Sequence, residues 1–233
     1  MFNYKEGRDL LLTQQLKPET EQMKEELAKL CEAHKLCPNN LNEVLNKASK
    51  HFSLLLKWNQ KISLTTITNP KIAATQLYFE SLFAIKFISN KIKSVADVGT
   101  GAGFPGLALA LALPELSIAL IESDNRKAAF LGEAKRTLNL TNIQIVNERF
   151  EKLSTSFDLI TVRALEKLEN QTLNLLSFAQ NSQVVIFFTS LKVAENILLT
   201  YQKQLLRHKT EIVSLPESQT RVLLLLHNHK CFT

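Results

Sequence analysis

The sequence has few of the residues that define several common protein classes. Cys31, Cys37 and Cys231 are the only cysteines among 233 residues, and their odd number and irregular spacing fit neither a disulfide framework nor a metal site. No run of about 18 apolar residues could cross a membrane. The first residues, MFNYKEGRDLLL, lack the cationic start and apolar core of a secretory signal. These absences predict a cytoplasmic protein with free thiols, no metal and no membrane partner.

Glycine is also scarce, but most of it is concentrated in one segment. The chain has six glycines, and four of them are Gly99, Gly101, Gly103 and Gly106. They follow the apolar run SVADV and precede an apolar helical pattern at residues 107–113. A strand that ends in a glycine-rich turn and opens a helix brings backbone N–H groups close to a nucleotide-like ligand. The segment therefore predicts a cofactor that contains adenosine.

Two side chains in this segment favour S-adenosylmethionine, although Gly101, Gly103 and Gly106 also fit the dinucleotide fingerprint. Asp97 lies two residues before the first glycine, where its carboxylate would meet the charged methionyl end of the cofactor, directly or through water. A negative charge at this position disfavours a pyrophosphate. Pro105 supplies no N–H group for a phosphate. An NAD-dependent oxidoreductase remains the alternative.

Glu122 ends the next apolar run, IALIE, 23 positions after Gly99. A carboxylate about 20 residues after the glycine turn binds the ribose hydroxyls of a bound adenosine. We therefore predict that Glu122 contacts the cofactor ribose. The alternative is that Glu122 caps the following helix, for which Asp124 is the better candidate.

The net charge of +6 is unevenly distributed along the chain. Residues 40–93 contain eight lysines and two acidic residues, whereas residues 94–233 contain 14 basic and 13 acidic residues. A localised basic surface is typical of proteins that bind a polyanion. The helical pattern that begins at Leu41 places Lys47, Lys50 and Lys57 opposite its apolar stripe. We predict that these lysines bind RNA, with a simple solvated face as the alternative; Asn40 and Glu43 would form the capping box of this helix.

The pattern changes from helical to alternating at residue 94. Strands are predicted near 94–98, 117–121, 143–147, 157–162, 183–189, 211–214 and 221–227, and helices near 105–112, 125–138, 167–179 and 193–206. Alternating strands and helices predict a mostly parallel α/β sheet, and the last two strands predict an antiparallel edge pair. The fold is thus a Rossmann-like, seven-stranded methyltransferase sheet after an all-helical N-terminal portion. We divide the chain into a helical extension (1–40), a basic helical portion (41–93) and a cofactor-binding domain (94–233).

Six segments together resemble one family. They are LLLKWNQKISLTTIT, FESL, DVGTGAGFPGLALA, IESDNRKAAFL, NERFEKL and FDLITVRAL, and the similarity extends in register over about residues 41–227. The family is ribosomal RNA small subunit methyltransferase G, also called glucose-inhibited division protein B. The resemblance implies that the protein transfers a methyl group from S-adenosylmethionine to N7 of one guanine in the 530 loop of 16S ribosomal RNA. The partner would be this RNA or the 30S subunit, and a monomer is the expected state.

The same resemblance implies the site residues. Gly99, Phe104, Phe150, Glu151 and Arg163 would contact the cofactor, and Arg163 would lie between the cofactor and the RNA as the catalytic candidate. The aromatic rings would pack on the adenine. The family usually has Ala at position 150.

Two further positions depart from the family pattern. The family commonly has Arg-His where this chain has Gln76-Leu77, and often has Leu-Lys-Gly where this chain has Thr189-Ser190. If those basic groups bind RNA phosphates, the affinity of this chain for RNA is reduced or depends on other lysines. The departures also keep open a non-catalytic RNA-binding protein as a distant alternative.

The chemistry implied for guanine N7 is consistent with what the sequence lacks. N7 has an in-plane lone pair and no proton, so its methylation requires alignment of the reactants and no general base. After the fourth predicted strand there is no Asn/Asp-Pro-Pro-aromatic tetrad, which methylation of an exocyclic amine would need, and no Pro-Cys nucleophile. A methyltransferase that acts on a protein or a small molecule remains the main alternative.

Overall fold

The computed structural model describes residues 14–36, 38–163 and 168–228. Cys37, Cys231 and residues 1–13 of the predicted extension lie outside this part of the chain. Seven strands form one sheet in the order β3-β2-β1-β4-β5-β7-β6. The strands are β1 (Ser94–Val98), β2 (Ser117–Ile121), β3 (Ile143–Val146), β4 (Leu159–Arg163), β5 (Val184–Ser190), β6 (His208–Ser214) and β7 (Arg221–Asn228).

The pairing of the strands confirms the predicted fold class. Strands β1 to β5 pair in parallel, whereas β7 is antiparallel to both β5 and β6. Four of the five residues of β1 and all five residues of β4 are buried, as expected for parallel strands that are covered on both faces. In β6, residues 209–211 are exposed. The apolar signal of this edge strand is therefore weak, which explains why it begins three residues earlier than predicted.

Helices cover both faces of the sheet. They are α4 (Gly106–Ala112), α5 (Asn125–Thr137), α6 (Leu168–Phe178) and α7 (Leu191–Thr200). The helix predicted at 193–206 is divided, because α7 ends at Thr200 and a separate 3₁₀ turn follows at Gln204–Arg207. Helix α7 begins early because the Ser190 hydroxyl accepts a hydrogen bond of 3.4 Å from the Val193 N–H.

A helical layer precedes the sheet in the chain and packs against α4 and α5. It contains α1 (Lys17–Ala33), α2 (Leu41–Asn59) and a composite helix, α3, at residues 70–87. Helix α3 changes from an α-helical turn (Pro70–Ile72) to a π-helix (Ala73–Phe79), an α-helical turn (Glu80–Phe83) and a 3₁₀ turn (Ala84–Phe87). The buried residues of this layer form one core with the apolar residues of α4. No helix in the described part of the chain is long and apolar enough to span a membrane.

The capping box predicted for α2 is wrong. Asn40 occupies the N-cap position, but its side chain accepts no hydrogen bond from the first turn. Its Nδ2 instead donates a 2.9 Å hydrogen bond to the Leu111 carbonyl at the end of α4, and Glu43 forms an ion pair of 2.7 Å with Lys47. A buried helix end needs donors for its last carbonyl groups, so Asn40 links the helical layer to α4.

Candidate cofactor and acceptor site

The glycine turn lies at the carboxyl end of β1, where parallel α/β sheets bind ligands. Gly101 has a φ of +57°, which side chains rarely tolerate. Gly106 begins α4 and has no room for a side chain, because a Cβ atom there would lie 2.5 Å from Leu120 Cδ2 and 2.7 Å from Asp97 Cβ. The close approach of α4 to β1 and β2 thus requires this glycine.

Asp97 is directed into the protein and stabilises the turn. Its side chain is 0% exposed, and Oδ2 accepts hydrogen bonds from the Thr100 hydroxyl and, at 2.8 Å, from the Gly106 N–H. Oδ1 accepts a hydrogen bond of 2.8 Å from the Thr161 hydroxyl. Burial raises the pKa of Asp97 to about 6, although these hydrogen bonds oppose the shift. The carboxylate is buried and used within the turn, which leaves none of it exposed for a direct contact with the methionyl end. The contact through water stays a prediction.

Glu122 follows β2 and is bonded to the glycine turn. Its Oε2 accepts a 3.0 Å hydrogen bond from the Gly101 N–H, and its Oε1 accepts a 2.9 Å hydrogen bond from the Asp124 N–H. Asp124, and not Glu122, caps helix α5, because its side chain accepts hydrogen bonds from the N–H groups of Arg126 and Lys127. Each oxygen of Glu122 retains a lone pair for a further donor.

A cavity of about 390 Å³ lies beside Glu122. Its wall brings together Gly99, Glu122, Phe150 and Glu151, four of the residues that the sequence assigns to the cofactor. The other residues that line it are Val98, Ile121, Ser123, Asp124, Lys127, Glu148, Arg149 and Gln171. The Phe150 ring packs against Phe178 at 5.8 Å between centroids, and Glu151 forms an ion pair of 3.1 Å with Arg149. A cavity of this size with one apolar wall and a carboxylate fits a nucleoside.

Phe104 does not line this cavity. Its side chain is buried below the turn in the helical layer, where its ring lies 5.0 Å from that of Tyr78 and 5.4 Å from that of His51. The structure therefore separates Phe104 from Phe150, which the sequence places together at the adenine. Gly101 and Gly103 belong to the turn but are also absent from the cavity wall.

Arg163 ends β4 and is buried in an ionic network. Its Nη2 donates hydrogen bonds to the Gln76 carbonyl and, at 3.1 Å, to Oε2 of Glu80. Arg221 also binds Glu80, which is 0% exposed. Burial lowers the pKa of Arg163 to about 10, although the charge of Glu80 opposes the shift. Nη1 of Arg163 has no hydrogen-bond partner among the residues that the structure describes.

The three predicted RNA-binding lysines lie on one side of α2. Lys50 is exposed, whereas Lys47 and Lys57 are half-buried. Lys47 is neutralised in part by its ion pair with Glu43. Lys50 is therefore more accessible to a phosphate than Lys47, a difference that the helical spacing alone does not reveal.

Sequence reasoning missed several residues around this site. Glu80 and Arg221 complete the network of Arg163, and an acid within the apolar FESL segment was the available signal for the first. His51 and Tyr78 are buried beside the glycine turn. No group of three or more His, Cys, Asp or Glu side chains that could hold a metal occurs within the described residues.

The fold is that of S-adenosylmethionine-dependent methyltransferases. A putative O-methyltransferase from Klebsiella pneumoniae has a similar structure, with a TM-score of 0.56 and 16% identity over 76% of this chain and 89% of that chain. An S-adenosylmethionine-dependent methyltransferase from Aquifex aeolicus has a TM-score of 0.53 and 15% identity over 66% of this chain and 92% of its own. At these identities the likeness shows the fold alone.

Sequence similarity defines the family. The model of the rRNA small subunit methyltransferase G family matches residues 44–224, so the chain belongs to this family. The relative from Orientia tsutsugamushi (strain Boryong) is 42% identical over 130 residues, which are 56% of this chain and 65% of the relative. The relative from Macrococcus caseolyticus is 36% identical over 54% of this chain and 57% of its own length. The chain thus spans less than two thirds of these relatives. Membership confirms the predicted resemblance and the cofactor, S-adenosylmethionine.

Proposed function

We propose that this protein methylates N7 of one guanine in the 530 loop of bacterial 16S ribosomal RNA, in the cytoplasm, with S-adenosylmethionine as the donor. The observation that supports this proposal best is the cavity at the carboxyl ends of β1 and β2, in a chain that belongs to the rRNA small subunit methyltransferase G family. The two relatives described above are both named ribosomal RNA small subunit methyltransferase G.

The residues of the cavity fit the cofactor in chemical type. Glu122 would accept hydrogen bonds from the ribose hydroxyls, because each of its oxygens retains a lone pair beside the backbone N–H that it already binds. Phe150 would provide the apolar surface for the adenine, and Glu151 lies beside it. The sulfonium centre of the cofactor supplies an activated methyl group. Asp97 would act indirectly, by holding the turn from Gly99 to Gly106.

Arg163 is our candidate for contact with the acceptor. Its Nη2 is fixed by Glu80 and the Gln76 carbonyl, while Nη1 has no partner within the described part of the protein. Arginine donors bind O6 and N7 of guanine in many complexes. Nη1 is buried in the structure, so we propose that it becomes accessible when the target guanine enters and then donates to O6, because N7 must keep its lone pair for the reaction.

Methylation of guanine N7 requires no general base near Arg163. Guanine N7 carries no proton, so the protein contributes by alignment and by excluding water. The nearby carboxylate of Glu80 accepts hydrogen bonds from two arginines and is therefore not available as a base. This arrangement favours an acceptor such as N7 over a hydroxyl or an exocyclic amine.

The basic side of α2 would bind the RNA backbone. Lys47, Lys50 and Lys57 would contact phosphates around the 530 loop. Lys47 would contribute less than Lys50, because it forms an ion pair with Glu43. The target guanine must be unstacked, because the major groove of an RNA helix is too narrow for a protein to reach N7.

The decisive test uses 16S rRNA and 30S subunits from cells that lack the gene. Both are incubated with the purified protein and methyl-labelled S-adenosylmethionine, and the product is mapped by mass spectrometry. We expect one 7-methylguanine in the 530 loop. A methyl group at another atom or on a protein would overturn the proposal, and comparing the two substrates identifies the form that is methylated.

A further inference from the structure

A buried polar pair lies beneath the glycine turn, and the proposed chemistry makes no use of it. His51 on α2 and Tyr78 on α3 are 0% and 1% exposed. His51 Nδ1 and the Tyr78 hydroxyl form a hydrogen bond of 2.9 Å. The two residues come from different helices, and the bond therefore fixes α2 relative to α3.

Both members of the pair contact the cofactor-binding turn. The Tyr78 ring meets the Phe104 ring edge-on, at 90° and 5.0 Å between centroids, and the His51 ring lies 5.4 Å from the same ring. Phe104 directly follows Gly103. The position of the Phe104 ring is thus set by the two rings of the pair.

A second contact links His51 to the turn. Burial lowers the pKa of His51 to about 3, and an interaction with the backbone of Ala102 opposes this shift only in part. His51 is therefore neutral. We assign the ring hydrogen to Nε2, because Nδ1 then accepts the Tyr78 hydroxyl hydrogen. Nε2 has no hydrogen-bond partner of ordinary geometry among the described residues.

An apolar pair would fill this space without the cost of burying polar groups. A buried hydrogen bond, however, restricts the rings to one orientation, which apolar packing does not. The Gly101 N–H, which binds Glu122, is directly before Ala102 in the same turn. A displacement of Ala102 and Phe104 would therefore move the N–H group that positions the candidate ribose-binding carboxylate.

We propose that the hydrogen bond between His51 and Tyr78 positions the glycine turn for cofactor binding. His51 and Tyr78 are positioning residues, because they act through Ala102 and Phe104 and do not line the cavity. The inference rests on the cofactor and not on the identity of the RNA acceptor.

The test measures the affinity for S-adenosylhomocysteine by calorimetry at 25 °C in four variants. Tyr78→Phe removes only the hydroxyl and should weaken binding about tenfold, the fold-change that corresponds to one lost hydrogen bond. His51→Leu and His51→Asn form a second pair, with the same number and branching of side-chain heavy atoms. The Asn side chain can still form a hydrogen bond with the Tyr78 hydroxyl. The His51→Asn variant should therefore bind S-adenosylhomocysteine at least threefold more tightly than the His51→Leu variant.

Phe83→Leu is the matched control. Phe83 is buried in the same helix α3 and packs against Phe79 and Phe87, away from the turn. The Phe83→Leu variant should have a lower melting temperature than wild type. Its affinity for S-adenosylhomocysteine should stay within twofold of wild type, because the protein remains folded at 25 °C.

The result that overturns the inference is an affinity of Tyr78→Phe within twofold of wild type, or equal affinities of the two His51 variants. The pair would then contribute to stability only. If the wild-type protein itself does not bind S-adenosylhomocysteine, the proposed function is overturned as well. If the wild-type protein binds it and only the variants fail to differ, the inference alone is overturned.

Discussion

Glu80 and Arg221 are 141 positions apart in the chain and share two hydrogen bonds, from Nε to Oε1 at 2.8 Å and to Oε2 at 2.9 Å. Glu80 belongs to α3 and Arg221 begins β7, so the pair joins the helical layer to the antiparallel edge of the sheet. Because Arg163 binds the same carboxylate, one buried negative charge binds two arginines, of which Arg163 is buried and Arg221 is half-buried. The candidate acceptor site thus depends on a contact between two segments that are 141 positions apart in the chain.

The first prediction concerns Glu80→Gln. The variant removes the carboxylate that binds the buried Arg163 and the half-buried Arg221, and removal of one member of a buried ionic network costs about 3–5 kcal/mol. We expect the free energy of unfolding, measured in urea, to fall by about 3 kcal/mol. Glu115→Gln removes the same charge at an exposed position and should change it by less than about 0.5 kcal/mol. Equal stability of the two variants would show that the network contributes nothing.

The second prediction concerns Arg163→Ala. If Nη1 contacts the acceptor base, the rate of methyl transfer should fall at least about 100-fold, or about 2.7 kcal/mol, with a loss of less than about threefold in S-adenosylhomocysteine affinity. Turnover and calorimetry on the same preparation provide the comparison. Arg207→Ala removes an exposed arginine and should affect neither. A parallel loss of turnover and affinity would instead assign Arg163 to the cofactor.

The third prediction concerns the lysines of α2. Replacement of Lys47, Lys50 and Lys57 by Gln should reduce the slope of log K against log salt for RNA binding by about 2, because each phosphate contact contributes about 0.7–0.9. The ion pair of Lys47 with Glu43 makes its own contribution smaller than that of the exposed Lys50. Gln substitutions of Lys192, Lys203 and Lys209 remove three exposed lysines elsewhere and are the control. If both triple variants reduce the slope equally, α2 is not a specific interface.

The fourth prediction concerns the pH dependence that Asp97 produces. Its pKa is raised from 3.8 to about 6 by burial, so between these values the folded state binds more protons than the unfolded state. Stability therefore decreases as the pH rises from about 4 to 6, by about 2–3 kcal/mol at 1.36 kcal/mol per pH unit. His51 has the opposite effect on stability. Burial lowers its pKa, so its contribution to stability increases as the pH rises.

The contribution of Asp97 is isolated by comparing wild type with the Asp97→Asn variant at each pH. We expect the free energy of unfolding of wild type minus that of Asp97→Asn to decrease between pH 4 and pH 6.5 and then to remain constant. His51 and all exposed groups contribute equally to both proteins and cancel. A flat difference would mean that Asp97 titrates normally in the folded protein.

The sequence predicted the sheet well because its signals are local. The apolar runs SVADV and SIALI give β1 and β2 their observed bounds, and Asp124 caps α5 as the sequence indicated. Contacts between distant segments could not be derived in the same way. Asn40 has the local signature of a cap and yet binds Leu111, because a buried helix end required the donor. The sequence assigns both Phe104 and Phe150 to the adenine, but only packing decides that Phe104 lies against Tyr78 and not in the cavity.

The last prediction compares two glycines that differ only in their surroundings. Gly132 lies within α5 and an added Cβ atom would meet nothing within 4 Å, so Gly132→Ala should raise the free energy of unfolding by about 0.5–1 kcal/mol through improved helix propensity. Gly106→Ala places the same methyl group 2.5 Å from Leu120 Cδ2 and 2.7 Å from Asp97 Oδ2.

Because a methyl group at Gly106 would force α4 away from β1 and β2, Gly106→Ala should lower the free energy of unfolding by about 1–3 kcal/mol. It should also weaken S-adenosylhomocysteine binding, since the Gly106 N–H that holds Asp97 moves with the helix. Urea denaturation and calorimetry on both variants measure the contrast. If both alanine variants stabilise the protein, the close packing of α4 on the sheet does not require glycine at position 106. The position of the turn then does not depend on Gly106.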